Sequence, residues 1–76
     1  MELLTLEDLE ILAMEAIEQK CSLGLFILNP ELIYPELIVN PYENLEAKLK
    51  YWKTAYTDDL EHKHNKEIKI VGYNIQ

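Results

Sequence analysis

Asp58, Asp59, His62 and His64 fall within seven residues, in "DDLEHKH", where metal-ligating side chains cluster at useful spacing in this 76-residue chain. If a helix runs through this stretch, Asp58 and His62 stand four apart and Asp59 and His62 three apart. One helix face then offers a carboxylate and an imidazole to a metal, with His64 as a third ligand from beyond the helix end. The competing reading is electrostatic: the negative pole of a helix C-terminus favours cations, and His62, Lys63, His64 and Lys66 supply them. Zinc sites usually draw ligands from several elements and this cluster is local, so the electrostatic reading is preferred and no cofactor is expected.

Other catalytic arrangements are missing. The sequence holds no nucleophile elbow, glycine-rich phosphate loop or Cys-His pair, and its two glycines are too few to build tight ligand loops. The lone Cys21 excludes an internal disulfide and a cysteine zinc cluster, and reads as a small buried hydrophobe beside a strand. The chain is expected not to be an enzyme.

A second constellation interleaves Tyr42, Tyr51, Trp52 and Tyr56 with Lys48, Lys50 and Lys53, as a stacking surface for single-stranded nucleic acid would. At about 100° per residue, however, Trp52 and Tyr56 fall on the Leu45, Leu49 and Leu60 stripe of a helix, where they are core. Only Tyr51 points away. The chain also has seven lysines, no arginine and a net charge of −7, which is poor provision for phosphate contacts. Direct nucleic-acid binding is not expected.

These residues need elements to place them. Thr5 and Asp8 form a capping box with Asp in place of the usual Glu or Gln, and the apolar rhythm from Leu6 predicts a first helix over residues 6–19. "LGLFIL", Leu23 to Leu28, reads as a central strand, covered on both faces or packed on one against a second molecule. Asn29-Pro30-Glu31 is a turn. A second strand over Leu32–Val39 contains Pro35, which cannot donate to a ladder, so it belongs at an edge, bulged or broken near Tyr34. Asn40-Pro41-Tyr42-Glu43 starts a second helix, with Pro41 at its first position, running to about His62. Glu67 to Tyr73 supplies a third, half-buried strand. The expected fold is a small α+β single domain over residues 1–76 in the order α-β-β-α-β, with a three-stranded antiparallel-type sheet and two helices on one face.

The charge is uneven. Residues 1–40 carry eight acids, Glu2 among them, against Lys20 alone, whereas residues 41–76 carry six acids and six lysines. On helix 1, Leu9, Leu12, Ala13 and Ala16 centre one face. Glu7, Asp8, Glu10, Glu15 and Glu18 spread over the opposite arc of about 160°, with Ile11 and Met14 inside it. Two apolar residues ringed by carboxylates resemble an interface whose anchor is apolar and whose rim steers a basic protein. The alternative is a solvated face on which isolated apolar residues are ordinary.

An apolar share of 49% with 28% charged residues is globular, and a chain this short buries only about 60% of its unfolded surface, so dimerisation would aid stability. The acidic start "MELLTLEDLE" lacks a signal peptide's basic region, and "LGLFIL" is far short of a membrane span, so a cytoplasmic protein without membrane contact is expected.

The stretch "LEAKLKYWKTAYTDDLEHKHNKEIKIVGY" resembles the C-terminal part of small uncharacterised proteins from phages and prophages of low-GC Gram-positive bacteria. The resemblance covers less than half the chain and rests on helix and strand patterning. It implies an accessory protein that binds a host protein, including inhibitors of host-defence nucleases whose acidic surfaces stand in for DNA. The expectation is thus a non-enzymatic, acidic interaction module with Glu7, Asp8, Glu10, Ile11, Met14, Glu15 and Glu18 as its contact residues. The alternatives are a self-assembling homodimer, joined through a sheet edge or the apolar first strand, and a metal-dependent activity at Asp58, Asp59, His62 and His64.

Overall fold

The computed structural model describes residues 4–75, so Glu2 lies outside the described residues. Six elements follow one another: α1 (Leu6–Gln19), β1 (Leu23–Leu28), β2 (Glu36–Asn40), α2 (Tyr42–Ala55), β3 (Glu61–His62) and β4 (Asn65–Ile75). The four strands form one antiparallel sheet in the order β2-β1-β4-β3. The fold is therefore α+β as expected, with a strand more than the sequence reading allowed.

α1 matches its expected span because its ends are set locally. The Thr5 amide donates to Asp8 Oδ2 at 3.1 Å and the Asp8 amide to Thr5 Oγ1 at 3.2 Å, closing the capping box. At the other end Lys20 turns left-handed (φ 57°) and the Cys21 amide donates to Ala16 O at 2.9 Å, satisfying a terminal carbonyl. Cys21 is half-buried rather than fully buried, its Sγ 3.5 Å from Gln19 O.

β1 also holds its expected span, with Leu23, Leu25 and Ile27 directed towards the helices by the period of two. Leu9, Ala13 and Ala16 of α1, Leu45 and Trp52 of α2, Leu23 and Leu25 of β1 and Ile70 of β4 form one buried cluster, so both helices cover the same face of the sheet. β1 is central and, among the described residues, covered by helices on one face only. A register shift between Phe26 and Ile27 bulges β4 at Val71, and Phe26 on the far face packs against Gly72, 3.3 Å from where a Cβ would stand.

The last strand is longer than the expected Glu67–Tyr73, β4 running over Asn65–Ile75, and three further boundaries differ from expectation. β2 starts at Glu36, so Pro35 precedes the strand instead of breaking it, and the strand remains at an edge. Asn40 is buried at its end, Nδ2 donating to Leu23 O at 3.2 Å and Ile38 O at 3.3 Å, and Pro41 serves as the N-cap of a helix whose first residue is Tyr42. The largest correction concerns α2, which stops at Ala55 rather than near His62. Thr57 pairs with Glu61 through Thr57 N to Glu61 O (2.8 Å) and Glu61 N to Thr57 Oγ1 (3.3 Å), and Leu60 takes a left-handed φ of 62°. Thr and Asp offer the backbone hydrogen bonds that compete with a helix, so "TDD" turns the chain. Tyr56 and Leu60 are buried as the helical stripe required, but Tyr56 from an extended bridge to His62 and Leu60 from the end of the turn.

Candidate functional site

The early end of α2 dismantles the Asp/His cluster as a helical face. Asp58 and Asp59 are exposed in the turn, His62 sits in β3, and His64 lies in the β3–β4 hairpin. His62 Nδ1 accepts the His64 amide at 3.1 Å, and its ring meets Tyr56 edge-on at 5.3 Å. Asp58 contributes its backbone, accepting the Leu6 amide at 2.8 Å and so tying the start of α1 to this turn. Among the described residues no group of three or more His, Cys, Asp or Glu side chains stands close enough to hold a metal ion.

The aromatic–lysine set separates as its helix wheel required. Trp52 and Tyr56 are buried, Tyr42 is half-buried, and Tyr51 is exposed with Lys48 Nζ 5.8 Å from its ring centroid. Burial, and secondarily the neighbouring Tyr51, pushes the Tyr56 phenol above its ordinary pKa of 10.0. A row of stacking faces is therefore not built on α2.

On α1 the residues expected to form a contact surface divide into two sets. Ile11 and Met14 are each 58% exposed, opposite the buried Leu9, Ala13 and Ala16. Glu7, Glu15 and Glu18 are exposed beside them, so Glu7-Ile11-Met14-Glu15-Glu18 makes one outward stripe within an arc of about 100°, roughly 16 Å long. The other two acids have structural partners. Asp8 closes the helix cap, and Glu10 Oε2 lies 2.9 Å from Lys53 Nζ of α2.

One feature went unread in the sequence and a second was read only in outline. A shallow cleft of about 480 Å³ lies on the far side of the sheet, between Leu28 and Leu32 on one bank and Glu61, Lys66, Glu67 and Lys69 on the other. Its charges balance, and Glu61 already pairs with Lys69 at 3.0 Å. The second is β2 itself: Leu37, Ile38 and Val39 are 40%, 40% and 44% exposed, and Ile33 and Tyr34 just before it are more exposed still. Pro35 had signalled an edge, but its assumed place inside the strand hid the length of unbroken apolar edge that follows.

No helix among the described residues is long and apolar enough to cross a membrane. In comparisons with known proteins, no family model, curated protein or solved structure matches this chain.

Proposed function

We propose that this chain is a small, non-enzymatic interaction module that presents the outward stripe of α1 to a protein with a basic surface. The observation that carries the reading is the pair Ile11 and Met14, each more than half exposed one turn apart and flanked by the carboxylates of Glu7, Glu15 and Glu18. Apolar anchors supply contact area, and a charged rim adds steering and selectivity for the opposite sign. The concentration of acid in the first half of the sequence favours a partner whose own ligand is a polyanion. Together with the resemblance to phage accessory proteins, it supports a host nucleic-acid-binding protein as the target, bound or inhibited by an acidic helix that takes the place of DNA.

The test is affinity capture from a lysate of a low-GC Gram-positive bacterium, comparing the wild type with the double variant Ile11→Ser/Met14→Ser. The expected prey is a basic protein retained at low salt and released near 1 M salt, where the Debye length falls to about 3 Å. Loss of both anchors should weaken its binding on the order of a hundredfold, given about 1.5–3 kcal/mol for full burial of each side chain and the part already covered. A folded double variant, verified by circular dichroism, that holds the same prey equally well would end the proposal.

A further inference from the structure

β2 is one of the two outer strands of the sheet, the two-residue β3 being the other, and pairs, among the described residues, with β1 alone. Exposed edges in native proteins are usually blunted by lysine, proline, a bulge or a cover, because their unpaired amides and carbonyls accept any further strand. Among the described residues β2 has no lysine, proline, bulge or cover, and Glu36 at its start is its one charge. Its sequence Glu-Leu-Ile-Val-Asn holds no lysine, Pro35 lies outside it, and its register with β1 runs unbroken from Glu36 to Asn40. On the opposite side β3 is only two residues long, and the C-terminal half of β4 that extends past it carries the bulge at Val71, which twists an edge away from flat pairing. Leu37 and Val39 expose apolar surface on one face of β2 and Ile38 on the other.

We propose that β2 pairs antiparallel with β2 of a second copy of this chain, about a twofold axis through Ile38, to give a continuous eight-stranded sheet. The strand is complementary to itself in that register. Ile38 faces Ile38 of the other copy, Leu37 faces Val39, and Glu36 faces Asn40, so every opposed pair is apolar with apolar or charged with neutral. Like charges directly opposite one another would be destabilising, and none occur. The two Glu36 carboxylates are held about 14 Å apart along the strands, beyond the roughly 8 Å Debye length at physiological salt. The acidic stripe of α1 is a separate surface, so this pairing is independent of the partner proposed for it. Five paired residues bury less than the 1,200 Å² or so that marks a standard interface, which makes the dimer a reversible one.

Sedimentation velocity from low micromolar to about 1 mM should show a concentration-dependent monomer–dimer exchange, and Ile38→Lys, which sets two ammonium groups against each other, should abolish it. Cysteine pairing tests the register itself. In a Cys21→Ala background, Ile38→Cys should form a disulfide-linked dimer under mild oxidation, because facing Cβ atoms lie about 5 Å apart. Glu36→Cys should not, its mate being about 14 Å away. A wild-type monomer across the whole range, as a strand reserved for a different protein would give, overturns the proposal. So does a dimer that survives Ile38→Lys, or equal cross-linking at positions 36 and 38. If Ile38→Lys fails to fold, the cysteine pair decides alone.

Discussion

Glu10 of α1 and Lys53 of α2 meet at 2.9 Å between Oε2 and Nζ, joining the two helices across the edge of their shared face. The pair takes one carboxylate away from the outward stripe and spends it on the fold. Both side chains are well exposed, 39% for Glu10 and 47% for Lys53, so solvent screens the attraction. Lys53→Ala is therefore expected to cost only about 0.2–1 kcal/mol in urea unfolding, less in high salt, while leaving partner capture by α1 undiminished. A loss of several kcal/mol would show that the contact anchors the helices.

Thr5→Ala removes the acceptor for the Asp8 amide and should destabilise the protein by about 1 kcal/mol. Asp8→Ala removes the reciprocal half. Because the two bonds belong to one box, the double variant should cost less than the sum of the singles, which a double-mutant cycle in urea measures directly.

Leu60 is fully buried and holds a left-handed φ of 62°. Leu60→Ala should cost about 2–5 kcal/mol through the lost side chain. Leu60→Gly loses one carbon more, yet it relieves a backbone conformation that costs a non-glycine residue about 1–3 kcal/mol. Equilibrium unfolding should place the glycine variant level with the alanine variant or above it. An alanine variant more stable by over about 1 kcal/mol would mean that the turn at Leu60 is not left-handed.

Burial raises the Tyr56 pKa in the folded chain above its ordinary 10.0. Below pH 10 both folded and unfolded chains keep the phenol neutral, and its contribution to stability is complete. As pH rises further the unfolded chain ionises first, and stability falls until the folded state also loses the proton. Chemical unfolding at pH 9, 10 and 11 should show a steeper decline for the wild type than for Tyr56→Phe. Parallel declines would place the phenol in solvent.

Zinc or manganese added at a hundredfold excess over micromolar protein should leave the melting temperature unchanged, since Asp58, Asp59, His62 and His64 do not converge. A rise of several degrees that His62→Ala removes would restore the metal reading.

The elements legible in the sequence are those whose causes lie within a few residues. Thr5 and Asp8 are three positions apart and close their box alone, so α1 begins where expected, and the helical period leaves Ile11 and Met14 outside. β1 could be read from its composition, and the acidic bias of the first half needs only counting. What the tertiary structure decided was where α2 stops, that β3 exists, that β4 reaches Ile75 and that β2 presents an unbroken edge. The stripe of Leu45, Leu49, Trp52, Tyr56 and Leu60 marks burial faithfully, yet burial is not conformation. Tyr56 and Leu60 reach the same core from an extended bridge and from the end of a turn held by Thr57, Glu61 and the Ile70 amide, which donates to Leu60 O at 3.0 Å. Periodicity registers which side chains leave water. Only long-range strand pairing determines the backbone that carries them there.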